Sequence, residues 1–409
     1  MRGAVGNWVT GEEFWGREHE LAELRELLDG GAHVLLVAPR RVGKTSLMRE
    51  TERRLEGTQR CLFLDLEGAQ SAADAVAELA LATRAHRSLW SKTQEVFRGW
   101  LDNVEAVSAS EISIKLREAA ATGWQTKGQK LLDSLGEHDE PIIVFMDELP
   151  ILINRMLKGD DYDITPQRRR EADLFLSFLR AQTSKRKSRV RFVAAGSIGL
   201  EPVLRQAGLS ATINTFTAYE LRPWDFATAT GFLRAIAEAK KLVLGEGVAE
   251  RMIERLGSGV PHHVQLFFDL ILQDARRRRA GEVVAADVER IFVERMLSSR
   301  GHAELSHLEE RLKMVLGPRK LPLAIDLLTE ASVAVALMPD RALELAEEAV
   351  RSGDLSGERP ADLIRELLGI FEHDGYLENR GSGYVFVSRL VQEWWNARFG
   401  FLGKRRPAS

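Results

Sequence analysis

Three stretches of this chain join residue types that can act on a phosphoanhydride. The first is Ala38-Pro39-Arg40-Arg41-Val42-Gly43-Lys44-Thr45-Ser46, which follows the apolar run His33–Val37 and opens the helical pattern of Leu47 and Met48. A turn from a buried strand into a helix aims several backbone N–H groups at one spot, where the helix dipole favours an anion. Gly43 lets the chain pass close to a β-phosphate, the Lys44 ammonium neutralises β- and γ-oxygens, and the Thr45 hydroxyl ligates Mg²⁺. Pro39, Arg40, Arg41, Val42 and Ser46 complete the segment expected to surround ATP or ADP. The pattern departs from Gly-x-x-x-x-Gly-Lys-[Ser/Thr] at Ala38, so the loop must begin with a backbone angle that alanine adopts.

The second stretch, Pro141-Ile142-Ile143-Val144-Phe145-Met146-Asp147-Glu148, is an apolar strand ending in adjacent acids. An aspartate at a strand's carboxyl end beside a phosphate loop can hold hydrated Mg²⁺, and the next glutamate can polarise the attacking water. The bland reading is that both acids cap the following helix. The third stretch is Phe192-Val193-Ala194-Ala195-Gly196-Ser197, where Ser197 either senses a γ-phosphate or simply occupies a strand-to-helix turn.

These groups need a parallel sheet to bring strand ends together. The first half alternates short apolar runs with helical patterns, the signature of such a sheet with crossover helices. Strands are expected at His33–Val37, Cys61–Leu66, Ile142–Met146 and Arg191–Ala195, with a fifth around Ile213–Phe216. A helical insertion at about 70–135 carries Trp90, Trp100 and Trp124, expected as core residues. Lys158–Arg170 reads as a mobile charged loop. From Asp225 the pattern turns helical, with apolar positions at Phe232, Ile236, Met252, Ile253, Leu266, Phe267 and Leu270. Near the end, a helix over Leu363–His373 precedes two alternating runs flanking Arg380-Gly381-Ser382-Gly383, a helix and hairpin in winged-helix arrangement. Trp394 and Trp395 lie in the last helix, before a basic tail, Lys404-Arg405-Arg406.

The segment Phe14-Trp15-Gly16-Arg17-Glu18-His19-Glu20-Leu21, the phosphate loop, the Asp147-Glu148 strand and Gly257-Ser258-Gly259-Val260-Pro261-His262-His263 together resemble the STAND ATPases of the archaeal-ATPase type, cousins of AAA+ proteins. The similarity spans about residues 10 to 270. It implies an α/β fold, a P-loop NTPase (AAA+-like) core over 1–222 followed by a helical lid over 223–300 and a winged-helix domain over 301–409. It also implies that Trp15, Gly16 and Arg17 lie against adenine, that Gly259-Val260-Pro261 contacts base or ribose, and that His262 or His263 can hold a β-phosphate. Core or exposed histidines are the alternative. No arginine of the lid-borne second-sensor type stands out, which fits STAND better than classical AAA+. Arg205 or Arg222 could serve a neighbouring subunit as an arginine finger, or be surface charges. Arg276–Arg279 reads more readily as a solvated helix face than as a nucleic-acid site.

Composition narrows the partners. The 409 residues hold 57 basic and 60 acidic side chains, a formal net charge of -3, so no global charge excess points to nucleic acid or a membrane. A single cysteine, Cys61, excludes an internal disulfide framework. With no apolar stretch near the ~18 residues of a membrane span, a cytoplasmic protein is expected. The expected activity is slow hydrolysis of ATP to ADP and phosphate, used as a conformational switch that docks a protein partner or drives self-assembly. The alternative is a DNA-binding initiator or transposition regulator that grips DNA through the winged helix, with Arg380, Arg389 and Lys404–Arg406 on phosphates.

Overall fold

In a computed structural model, described for residues 7–98, 109–185, 187–298, 305–353 and 355–403, the chain forms two compact units. One holds 18–37 and 44–220, and the other holds 7–17, 38–43 and 221–403. Trp100 and Lys404–Arg406 lie outside the described residues.

The first unit is an α/β layer structure. Helix α1 (Glu18–Asp29) leads to β1 (His33–Val37), α2 (Lys44–Leu55) and β2 (Arg60–Asp65). Four helices follow: α3 (Ala72–Ala82), α4 (Arg87–Val96), α5 (Ala109–Ala121) and α6 (Trp124–Gly136). Then come β3 (Ile142–Asp147), α7 (Leu149–Lys158), α8 (Pro166–Thr183), β4 (Val190–Ala194), α9 (Leu200–Gln206) and β5 (Phe216–Glu220). All strand pairs are parallel, in the order β2-β3-β4-β1-β5. Every residue of β3 is buried, as expected of an inner strand covered on both faces. Trp124 packs edge-on against Phe175 and Phe178, so it contributes to packing as expected.

Two expectations shift. The fifth strand lies downstream of Ile213–Phe216, because Ser210–Ile213 closes a 3-10 turn and pairing with β1 starts at Phe216 opposite His33. The span Lys158–Arg170 is only in part a loop. Thr165 caps α8 by accepting the Arg168 N–H at 3.2 Å, and Pro166 sits in the first turn. Arg168 is thereby helical, donates to the carbonyls of Lys158 and Asp163, and pairs with Asp161.

The second unit is helical, with α10 (Phe226–Ala239), α11 (Val248–Leu256), α12 (Pro261–Arg278) and α13 (Ala285–Ile291), which runs into a π turn at Phe292–Met296. Then follow α14 (His307–Val333), broken at Gly317, α15 (Pro339–Arg351) and α16 (Pro360–His373). The hairpin β6 (Leu377–Asn379) and β7 (Tyr384–Phe386) closes with the Arg380 N–H donating to the Gly383 carbonyl at 2.9 Å, and α17 (Arg389–Gly403) ends the chain described. The apolar stripe of α12 is Val264, Phe267, Phe268 and Ile271, while Leu266 and Leu270 are half-buried. Arg255 of α11 holds Glu393 of α17 through two hydrogen bonds and lies over Phe292 at 3.9 Å. Trp394 and Trp395 are fully buried. No described helix is long and apolar enough to cross a membrane.

Candidate nucleotide site

In the α/β unit, three parallel strand ends converge on one hydrogen-bonded chain of side chains. Thr45, in the first turn of α2, donates its hydroxyl to Asp147 Oδ2 at 2.7 Å. Asp147 ends β3, is buried, and accepts the Glu148 backbone N–H on its other oxygen at 3.1 Å. Burial pushes the Asp147 carboxyl up to about 6; the Thr45 hydrogen bond and the Lys44 charge oppose that shift, and the Glu148 charge adds to it. Lys44 is itself only 7% exposed. Glu148 takes a left-handed backbone conformation, φ 59°, before Pro150 fixes the first turn of α7. Its Oε2 accepts both the Ser197 N–H at 2.8 Å and the Ser197 hydroxyl at 2.9 Å.

Gly196 makes that last pair attainable, a residue the sequence reading passed over. A Cβ there would lie 2.5 Å from Pro150 Cδ and 2.6 Å from its Cγ. Only a glycine lets the end of β4 lie against the start of α7, so that Ser197 reaches Glu148. The available signal was a glycine directly after a buried strand, in a chain whose acid pair is followed by Leu-Pro.

In the helical unit, the loop 38–43 meets a second group of expected residues. Ala38 is not among the positive-φ residues, so it adopts an angle open to alanine, whereas Gly43 has φ 104° and requires glycine. Arg17 is buried and donates to the carbonyls of Val42 at 3.3 Å and Arg222 at 2.7 Å, so its guanidinium braces the loop. Trp15 donates its indole N–H to the Thr228 carbonyl at 3.2 Å and packs edge-on against Phe232. Gly16, φ 64°, faces Trp224 Nε1 across 3.6 Å from an ideal Cβ. That indole nitrogen is buried and has no hydrogen-bond partner among the described residues. Sequence reasoning missed Trp224, whose backbone N–H donates to the Gly259 carbonyl at 3.0 Å and whose own carbonyl would lie 2.1 Å from a Cβ at Gly259. The glycine of Gly259-Val260-Pro261 therefore answers to a close backbone crossing. Pro261 opens α12, and His262 Nε2 meets the Arg41 guanidinium. Burial, then the Arg41 charge, hold His262 far below the ordinary histidine range. Pro39 lies against Gly375 of the α16–β6 turn, where a Cβ would come within 2.6 Å of the proline ring.

Several other expected groups lie in local contacts. Arg205 pairs with Glu201 one helical turn away, and Arg222 presents its backbone carbonyl to Arg17. Arg277 and Arg278 pair with Asp274. Ser46 occupies the third position of α2. Cys61 is buried in β2, which pushes its thiol up to about 12.

No protein-family model and no curated protein matches the sequence. Among solved structures, the chain is similar to the Walker-type ATPase PABY2304 of Pyrococcus abyssi, at 17% identity across 95% of this chain and 98% of that one, with a TM-score of 0.64. It is also similar to the ORC2 protein of Aeropyrum pernix in ADPNP–ADP complexes, at 14% identity across 96% and 97%, with a TM-score of 0.52. At such identities the likeness establishes the fold, an α/β P-loop NTPase core of AAA+-like kind.

Proposed function

We propose that the chain is a Mg²⁺-dependent ATPase of the STAND type, which binds ATP, hydrolyses it slowly, and acts as a nucleotide-controlled switch for a protein partner or for self-assembly. The observation that carries this reading is the chain Thr45–Asp147–Glu148–Ser197 beside the buried Lys44. Thr45 and Asp147 fit Mg²⁺, an ion that takes hard oxygen donors, is content with one or two carboxylates, and completes its shell with water and phosphate oxygens. When bound, the ion neutralises charge on the β- and γ-oxygens. Lys44 and the amides of 38–45 would hold the polyphosphate. Glu148 would orient and deprotonate the attacking water. Ser197, whose hydroxyl donates to Glu148, would turn that hydrogen bond to an oxygen of the γ-phosphate, so that nucleotide state decides where the glutamate points. Trp15, Gly16 and Arg17 would form the base end, with the unpartnered Trp224 indole N–H as a further donor. Pro261 and His262 would meet ribose or phosphate. Residues 223–300 would act as lid, and 301–409 as a winged-helix domain used for docking, in a cytoplasmic protein.

Calorimetry and turnover test this. Lys44→Ala should lose ATP and ADP binding, and Glu148→Gln should bind normally while turnover falls about 100-fold or more. Wild-type turnover in Glu148→Gln removes Glu148 as the base. The DNA-binding reading has less behind it, since Arg380 pairs with Glu378 and Arg389 with Glu393. Salt-steep binding to a generic duplex would restore it.

A further inference from the structure

A cavity of the α/β unit takes in none of the nucleotide-site residues. Its volume is about 500 Å³, and it opens between the starts of α3 and α6, the end of α7 and the first half of α8. That is the size of a small-molecule pocket. One wall is apolar, formed by Trp124, Met156 and Leu174. Phe175 at 5.9 Å and Phe178 at 5.4 Å hold Trp124 edge-on, so the ring is a fixed surface. Leu174 is 50% exposed, an apolar side chain that the fold leaves uncovered.

The other wall is charged, and its charges do not meet. Arg155 donates through Nη1 to the carbonyls of Glu67 and Ala69, which fixes the guanidinium, and its Nε and Nη2 edge has no acceptor among the described residues. Such an edge is a planar fork that takes a carboxylate through two parallel bonds. Asp160 and Glu171 line the same cavity, and neither forms an ion pair with a described residue; Glu171 accepts only the Gln167 amide, at 3.1 Å. Arg168, the second cation of the wall, is already engaged by Asp161 and by the carbonyls of Lys158 and Asp163. A simple anion would meet two carboxylates here, and a simple cation would meet Arg155. A ligand with both charges on an apolar body suits all three groups. We propose that this cavity binds a zwitterion of amino-acid chemistry, its carboxylate on the Arg155 fork, its ammonium towards Asp160 and Glu171, and its apolar side chain against Trp124 and Leu174. The proposal goes beyond the ATPase reading and shares no residue with it.

Fluorine NMR on the full chain labelled with 5-fluorotryptophan, with no nucleotide present, tests this. The Trp124 signal is the one lost in Trp124→Phe. Millimolar phenylalanine or the dipeptide Leu-Phe should shift it: a response to phenylalanine identifies a free amino acid, and a response to Leu-Phe alone a short peptide. Amidating the carboxylate and acetylating the amine should each weaken the better probe about tenfold or more, the effect of losing a charge-assisted hydrogen bond. The amide penalty should vanish in Arg155→Met, and the acetyl penalty in the double variant Asp160→Asn, Glu171→Gln. A merely structural role for these residues would not exchange the two penalties in that way. The proposal is overturned if neither probe moves the Trp124 signal, or if both penalties persist unchanged in the variants. Where Arg155→Met fails to fold, Arg155→Lys decides, since it keeps the charge and loses the fork; an unchanged amide penalty there overturns the assignment. A failure of the ATPase reading leaves all of these outcomes as they are.

Discussion

The tightest steric demand at the acid pair lies at Gly196, and replacing it with alanine should be felt in both stability and turnover. The added Cβ would sit 2.5 Å from Pro150 Cδ, where ordinary contact begins at 3.4 Å, an overlap of 0.9 Å by subtraction. The neighbour is a proline ring in the first turn of α7, which cannot rotate away, so β4 and α7 must separate. Overpacking of this kind costs about 1–3 kcal/mol. For a unit of this size that lowers Tm by roughly 2–12 °C. The same separation pulls Ser197 from Glu148, so ATP turnover should fall several-fold while ADP affinity changes little. Gly68→Ala is the matched control, because nothing lies within 4 Å of its ideal Cβ and its φ is not in the left-handed range. Thermal unfolding and steady-state turnover of the two variants are the assay. A Gly196→Ala protein that melts and turns over like the control would refute the argument that the glycine is needed for the Glu148–Ser197 pair.

Two further outcomes concern stability. His33 accepts the Phe192 N–H at 3.1 Å, and burial, then the Arg191 charge, lower its pKa from 6.5 to about 4. The folded chain thus binds fewer protons than the unfolded one, so this contribution is complete above about pH 6.5 and is lost as pH falls towards 4. The full shift is worth ~3 kcal/mol, and roughly 2 after allowance for the solvent at the ring's edge. Urea titrations at pH 7.5 and 4.5 should show that loss, reduced in His33→Gln; an equal loss in the variant would remove His33 as its source. Asp274, 1% exposed, is held well below the usual carboxylate range chiefly by Arg290, then by Arg278 and Arg277. Asp274→Ala leaves those guanidiniums facing one another and should cost about 3–5 kcal/mol in denaturant unfolding; a loss under 1 kcal/mol would show that the network adds little.

The site was readable where chemistry constrains residue type. A lysine and threonine after a strand, and two acids after another, admit few alternatives, and the inner strands were continuous apolar runs. β5 was expected a few residues too early because it is a half-exposed edge strand, and Phe216–Glu220 lacks such a run. The charged span after α7 hid a helix start, since the Thr165-Pro166 cap was outweighed by its arginines. The roles of Gly196 and Trp224 were harder to read for a different reason. Each matters through what lies against it from a distant part of the chain, and spacing in one sequence carries no record of that.

The contact of Pro39 with Gly375, φ 77°, has a mechanical meaning. A rigid ring on the loop and a side-chain-free turn before the C-terminal hairpin leave no slack, so one cannot be displaced while the other stays. A ligand that reshaped the loop would press on the turn before the hairpin, and any coupling between the two would be reciprocal, so that binding at the hairpin would change the loop's affinity by the same factor. Two segments more than 330 residues apart in sequence, by subtraction of 39 from 375, thus share one tight contact.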